Sequence, residues 1–547
     1  MGEISIIKLM YCIYYIILSN IEIVMETKFN KFLINILILF IIISFFFKKK
    51  SKLENFENVF LTNKLIKNEY FKKKKNKDKE VIIENNVLKL SISTIGGNIK
   101  NLFLKKYKNY HNNDENLYLI KDNSSLFGLE FTNKSCKKFN TYEVEFIPKI
   151  KEDEFKYTIN MQAKLDNNVY ISYVYVIYKN NNYNIDFYIR TKGFSDLLST
   201  NLEWNQKLLR LEKDPKIENN YNQIFYSINK FKKKINFLNP KKSLHKKAKN
   251  LYWIANKQQF FVSILLFKKP LKDKKIIFFL KNENLNSINK RSNLKIKIIN
   301  KNNKELNLSN KWYFGPLDYN ILKKNKYGFE NLIQFGGVVG KYINRYVFFY
   351  LFSILEKTNL NYGLIIILMT IIVKLIILPI TYNQYKLNSI IEMFRTSFDD
   401  INHYKLTNKQ SLIKLDKKIL MNSILYAIIQ IPIFYSLFHF FPTLINLRGK
   451  SFLWIDNLTY YDSILNFKFK IPIYGNHISL LTILYSISLL ILRKINNSKY
   501  QTNNNSIYIM SIIILLFINN YSSGLYLYYL ISNIINIIIY IYYKKNL

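Results

Sequence analysis

The sequence predicts a multi-pass α-helical membrane protein carrying a large all-β domain outside the membrane. Three observations predict it. Strongly apolar stretches fill both ends of the 547-residue chain while its middle is polar, so the mean hydropathy of −0.06 averages two opposite regions. The middle alternates apolar and polar residues with period 2, the mark of half-buried strands. The third is the stretch Gly363 to Thr381, GLIIILMTIIVKLIILPIT, which is about as long as a bilayer core is thick and carries one cation near its centre, Lys374.

That cation is informative because a Lys at the middle of a spanning helix costs roughly 2.5–3.5 kcal/mol on insertion scales. A plain anchor has no use for such a cost, so Lys374 is expected to face protein, water or a substrate. The rival is a lysine whose stem snorkels to the headgroups. Apolar residues extending several positions on both sides argue against it.

Composition excludes several classes. Lys and Arg total 81 against 37 Asp and Glu, a formal charge of +44. Such a balance ordinarily points to nucleic acid or an anionic surface. Here the excess is almost all Lys and accompanies abundant Asn, Ile, Tyr and Phe, residues that share AT-rich codons. Base composition accounts for it, and no specific nucleic-acid partner is expected. Cys12 and Cys136 lie in regions of opposite character and no C-x-x-C exists, so no disulfide is expected. The five His are scattered, with no H-E-x-x-H, and G-x-S-x-G, Walker and G-x-G-x-x-G motifs are absent. Hydrolase, ATPase and dinucleotide chemistry are therefore not expected; nor is any cofactor or metal, and the chain is not read as an enzyme.

In chain order, the apolar run Ile4 to Val24 is interrupted by Lys8, Asn20 and Glu22. Residues 1–24 are either an upstream extension, with Met25 the natural start, or a genuine extra helix. Residues 25–50 are expected to be a transmembrane anchor: Phe32 to Phe47 is flanked by Lys28 and Lys31 before and Lys48 to Lys50 after, with no small-residue cleavage site. Residues 51–80 form a charged linker. Residues 81–328 carry many short strand-like runs without helical intervals, an antiparallel sandwich. Among the runs are Val87 to Ser93, Ile99 to Leu104, Asn168 to Tyr178, Tyr183 to Ile189, Phe260 to Phe267 and Leu294 to Ile299. Gly96-Gly97 and Asn180-Asn181-Asn182 supply turns. Trp204, Trp253 and Trp312 serve either the core or a ligand such as a sugar, and core packing is favoured.

Residues 329–360 place Ile333, Val338, Val339, Ile343, Val347, Phe348 and Leu351 at helical spacing. They predict an amphipathic helix at the membrane interface or a plain connector. Residues 361–547 hold five apolar segments: Gly363 to Thr381, Ser423 to Phe441, Ile478 to Leu492, Ile507 to Ile518 and Leu525 to Tyr542. Basic residues between Tyr382 and Met421, interrupted by Asp399-Asp400, predict a helical hairpin over 382–421. With the anchor this makes about six spans. The short basic loops then fall on one side, the cytoplasm, with both termini there and the β domain across the membrane.

Several ordered motifs carry a resemblance. Asn361-Tyr362-Gly363, Thr370, Lys374, Pro379-Ile380-Thr381, Gln430-Ile431-Pro432-Ile433-Phe434, Ser451-Phe452-Leu453-Trp454-Ile455, Ser523-Gly524-Leu525, Tyr528-Tyr529 and Ser532-Asn533 occur in the membrane half. Ile95-Gly96-Gly97, Trp253-Ile254-Ala255 and Phe314-Gly315-Pro316 occur in the β domain. On these residues the chain resembles the YidC/Oxa/Alb membrane-protein insertases, in their long Gram-negative form; the loop LRGKSFLWIDNL resembles the Bacteroidetes branch.

The resemblance implies a β-supersandwich in the periplasm, an interfacial helix, and five core helices around a cationic groove in the inner membrane. The implied substrate groove comprises Lys374, at a position where many relatives carry Arg, with Thr370, Tyr529 and Gln430. The implied partners are nascent membrane proteins, the ribosome, the Sec translocon and the lipid bilayer. The chief alternative is a secondary transporter or channel with Lys374 as its substrate or proton site. A glycan-binding envelope protein with helices as mere anchors is a third, which a buried cation disfavours.

Overall fold

The computed structural model describes residues 78–110, 115–133, 138–166, 168–194, 197–228, 236–238, 244–285, 287–298, 305–399, 428–471, 474–496, 511, 515–516 and 519–545. The expectations for residues 1–24, the anchor, nearly all of the linker, both cysteines, most of Ile507 to Ile518 and the second half of the 382–421 hairpin fall outside those residues. The chain divides into a β unit, Lys67–Phe335 with Thr443–Asn446, and a helical unit comprising the rest.

The β unit opens with a four-stranded antiparallel meander: β1 (Glu80–Glu84), β2 (Leu88–Ser93), β3 (Ile99–Lys108) and β4 (Asn116–Ile120). Leu88, Leu90 and Ile92 are buried, as their alternation predicts. Gly96 and Gly97 turn the chain between β2 and β3 with φ of 80° and 62°, a region open to glycine. A 13-stranded antiparallel sheet follows. Its strands are β5 (Ser125–Asn133), β6 (Lys138–Asn140), β7 (Ile147–Glu152), β8 (Lys156–Asp166), β9 (Val169–Tyr178), β10 (Asn184–Lys192), β11 (Leu197–Leu209), β12 (Gln223–Ser227), β13 (Asn236–Leu238), β14 (Leu244–Lys257), β15 (Phe261–Leu285), β16 (Ile288–Ile298) and β17 (Asn307–Pro316). The order is β6-β5-β11-β16-β15-β17-β10-β9-β8-β7, and β14 joins β15 to β12 and β13.

The three tryptophans are core residues. Trp204 and Trp312 meet edge to face at 5.0 Å, and Trp312 stacks on Phe314 at 5.2 Å. The indole of Trp204 donates to Ser125 Oγ and that of Trp253 to the Tyr327 carbonyl, each at 3.2 Å. All three are buried, which leaves no face for a sugar.

Three details correct the sequence expectation. The first strand begins at Glu80, and Asp78 before it pairs with Lys100 at 2.8 Å, so the linker ends sooner. β15 is 25 residues long, continuing past the expected run Phe260 to Phe267 through Lys268-Lys269-Pro270. Phe261 to Phe267 pairs with β17 and Lys275 to Leu285 with β16, and Pro270 falls at the irregularity between them where its missing N–H costs nothing. Finally, a helix α1 (Pro215–Tyr221) interrupts the strands, its first turn capped by Asp214, whose carboxylate accepts from Lys216 N at 2.7 Å.

Helix α1 lies among buried charges. Glu218 accepts from Leu211 N and from Asn289 Nδ2, the latter at 2.6 Å; burial, reinforced by Glu212, pushes its carboxyl up to about 8. Burial pulls Lys257, which lies over the Tyr221 ring, down to about 7, and Lys290 down to about 8. The raised carboxyl contributes stability that is complete below its ordinary value of 4.5 and lost as pH rises through 8. The lowered lysines act oppositely, losing stability as pH falls from 10.5 through 7 to 8. Glu218→Gln is therefore expected to flatten the decline between pH 4.5 and 8, worth up to about 1.4 kcal/mol per pH unit. Denaturant titrations of the chain across pH, followed by tryptophan emission, check this; an unchanged slope contradicts it.

The helical unit starts with α2 (Val338–Ile343), a π turn (Asn344–Phe348) and α3 (Phe349–Glu356). The amphipathic helix thus begins at Val338 rather than 329, since Gly336, with φ of 94°, and Gly337 precede it. The predicted stripe does not form one face. Phe348 is buried with Asn344, Phe349 and Phe352, whereas Val338, Val339 and Val347 are exposed. A line of Val338, Tyr342, Tyr346, Tyr350 and Ile354 faces outward. Steps of four drift by about 40° per turn on an ideal helix, and the wider π turn takes that drift back.

Helix α4 (Tyr362–Asp399) follows, its start fixed by Asn361, whose side chain accepts from Gly363 N at 2.9 Å. It runs unbroken through Pro379, so the span and the first basic helix are one element rather than two; the helix is described as far as Asp399, and the expected break at Asp399-Asp400 lies at the edge of the described residues. Then come α5 (Ile428–Thr443), the hairpin β18 (Leu465–Ile471) and β19 (Gly475–Ile478), α6 (Leu480–Asn496) and α7 (Ser523–Lys545). Among the described residues two stretches, Tyr362–Tyr382 and Ser523–Tyr542, are long and apolar enough to cross a bilayer; Ile428–Thr443 and Leu480–Leu492 are shorter apolar helices.

Candidate functional site

Helix α7 packs against both α4 and α6. Between them lies a seam of polar side chains inside otherwise apolar helices. Lys374 on α4 is only 4% exposed and donates to Asn536 Oδ1 of α7 at 3.2 Å. Among the described residues it has no carboxylate partner within ion-pair distance. Thr370, one turn earlier and on the same side, is fully buried, its hydroxyl bonded back to the Ile366 carbonyl at 2.7 Å. Asn533 of α7 donates to Ser488 Oγ of α6 at 2.9 Å, and Ser486, Ser532 and Thr381 are buried nearby along the same helices.

Toward the end where the 447–478 loop joins the helices, the polar seam gives way to rings. Tyr529 packs on Phe434 of α5 at 5.3 Å and on Tyr485 of α6 at 5.7 Å, and Tyr528 meets it edge to face. The first turn of α7 is capped by the loop itself: Ser523 N donates to Tyr460 O at 2.7 Å and Gly524 N to Leu458 O at 2.9 Å.

Of the four residues expected at the site, Lys374 and Thr370 lie in the seam and Tyr529 in the aromatic layer. Gln430 is half-buried at the first described turn of α5, one turn before the Phe434 that meets Tyr529. Sequence reasoning did not single out Asn536, Ser486 and Ser488. The signal was available: Asn533 and Asn536 are amides three apart in an apolar helix, the same anomaly that marked Lys374. The described residues hold no cluster of His, Cys, Asp and Glu suited to a metal ion. Among the described residues the arrangement offers hydrogen bonds and a buried lysine without a carboxylate partner inside an apolar bundle, and no nucleophile beside a base.

Two family models match the chain. The model of the family described as 60Kd inner membrane protein matches residues 352–547, and that of the YidC periplasmic domain matches residues 80–350. The chain is thus an inner-membrane protein with a β-rich periplasmic domain. A membrane protein insertase YidC from Parabacteroides distasonis is 31% identical over 83% of this chain and 76% of its own length. One from Porphyromonas gingivalis is 27% identical over 85% of this chain and 78% of its own. The chain belongs to the YidC family of membrane protein insertases. Among solved structures, a galactose mutarotase related enzyme from Lactobacillus acidophilus is similar over 43% of this chain and 97% of its own, with 10% identity and a TM-score of 0.27, too low to carry an argument.

Proposed function

We propose that the polar seam around Lys374 is where the chain receives the polar part of an incoming membrane protein. The observation that carries this is a buried cation whose partner is a neutral amide. An ammonium paired with a carboxylate has its field cancelled; Lys374, bonded to Asn536, keeps its charge available. In a low-dielectric surrounding that charge attracts the acidic residues of a polar tail more strongly than it would in water. Serines, threonines and amides on three helices replace the water the tail gives up. The apolar segment then partitions into lipid, at about 25 cal/mol per Å² buried. No bond is broken and no nucleotide is consumed.

In this reading Tyr362–Tyr382 and Ser523–Tyr542 span the membrane, and α5, α6 and the segment near 507–518 complete five core helices. The N-terminal anchor is a sixth span, and both termini lie in the cytoplasm. The aromatic layer around Tyr529 closes the periplasmic side. The line of Tyr342, Tyr346 and Tyr350 rests at the headgroup level, where tyrosine is favoured. The basic 382–421 segment meets the ribosome, and the Sec translocon is a partner for larger substrates.

The test is reconstitution of the purified chain into vesicles without translocon or nucleotide, followed by a small single-span protein with an acidic tail. Protease protection of that tail, above the level of empty vesicles, is the expected result. Protection no better than empty vesicles overturns the reading.

A further inference from the structure

The loop between α5 and α6 displays large apolar side chains outward. Phe452 and Ile455 bond each other's backbones at 2.9 Å, closing a tight turn whose corner residues are Leu453 and Trp454. Leu453 sits at φ 52°, where L side chains are rarely found, and is 73% exposed. Trp454 is 44% exposed, yet its indole N–H is fixed, donating to Asp462 Oδ2 at 3.2 Å. On the hairpin, Ile464, Leu465 and Phe469 are also exposed.

Two links set this patch at the level where helices begin. The Phe452 ring occupies the space beside Gly363, so closely that a Cβ there would lie 2.0 Å from its Cγ. Asn361, which caps α4, also donates to Ser451 O at 3.4 Å. The buried Asp462 accepts from Leu481 N at 3.1 Å and from the Ser479 hydroxyl, capping the start of α6, while it holds Trp454. Leu453 and Trp454 therefore stand beside the first turns of two apolar helices. The charges around them suit anionic headgroups: Lys450, over the Tyr362 ring at 5.3 Å, and Lys468 are exposed, against the exposed acid Asp456.

We propose that this loop is a membrane wedge: Leu453, Trp454, Ile464, Leu465 and Phe469 enter the interfacial layer of the adjoining leaflet, and Lys450 and Lys468 contact lipid phosphates. Exposed apolar side chains beside basic ones at the end of a span are the composition that layer accepts. The proposal rests on the reading of Tyr362–Tyr382 as a span.

The four tryptophans make the test selective, since Trp204, Trp253 and Trp312 are buried in the β unit. The full chain is reconstituted into phosphatidylethanolamine–phosphatidylglycerol vesicles, with and without phospholipid brominated high on the acyl chains. The emission that distinguishes the natural chain from Trp454→Phe is the signal. Bromolipid is expected to remove the larger part of it. Leu453→Gln, which leaves the Trp454 indole in place, is expected to restore part of it. Trp454 emission untouched by bromolipid but quenched by aqueous iodide overturns the wedge and leaves the patch to a protein partner. A chain that fails to float with the vesicles overturns the span itself, and the wedge with it.

Discussion

Lys374→Leu is expected to lower the insertion of substrates with acidic tails by about tenfold or more, the equivalent of some 1.4 kcal/mol at the barrier. Leu keeps the bulk and helix preference of the site and removes both the charge and the bond to Asn536. Replacing a buried polar pair member by an apolar residue leaves Asn536 without its donor, a cost of about 1–3 kcal/mol, while relieving the burial of the charge, which offsets it. The fold should therefore persist, and the loss should fall on insertion. Lys374→Arg, which keeps the charge and adds donors, should retain most activity. Substrates with uncharged tails should be affected far less. Vesicle protease protection with paired acidic and neutral tails measures all of this; equal loss for both tails would show that charge is not what Lys374 supplies.

Gly363→Leu is expected to give the largest loss of stability in the helical unit. The first side-chain carbon would lie 2.0, 2.2 and 2.5 Å from three atoms of the Phe452 ring, including the ring carbon nearest the backbone. That atom cannot swing away without moving the turn that carries Leu453 and Trp454. Overpacking of this kind typically costs about 1–3 kcal/mol. The expected result is a lower thermal midpoint in detergent and altered Trp454 emission. Phe452→Ala in the same chain should recover part of the midpoint, since it removes the colliding ring. A double variant no more stable than Gly363→Leu would mean that the glycine is needed for another reason.

Strand existence in the β unit was legible because alternation reports burial directly, as at Leu88, Leu90 and Ile92. What escaped there was the length of β15, since Lys268-Lys269-Pro270 has the composition of a turn and only the partner strands show that it lies within the ladder. The helical turns after Gly337 were legible in existence but not in face. Apolar residues lie on both the exposed and the buried side of these turns, so the periodicity of Val338, Val347 and Phe348 cannot separate them. The π turn at Asn344–Phe348, which shifts the phase midway, has no sequence signature in this stretch.

At the site, Lys374 could be found because a charge inside an apolar stretch is costly and hence conspicuous, whereas Thr370 came from the resemblance and from lying one helical turn before Lys374. Asn536 obeys the same rule, but an amide is a weaker anomaly than a charge, and its role emerges only when α7 is seen against α4. The cap that Asp462 makes on α6 joins residues 17 and 19 positions apart across a hairpin, beyond any local pattern.

The most direct measurement is site-specific photo-crosslinking to a nascent membrane protein during its synthesis, with the probe at Thr370 or Tyr529 and a control at Ile487, which is exposed on α6. The account predicts adducts at Thr370 and Tyr529 that disappear when the substrate's apolar segment is made polar, and few at Ile487 while the tail is still engaged. Adducts at Ile487 with none at Thr370 or Tyr529 would contradict it, because substrate would then travel along the lipid face without entering the seam around Lys374.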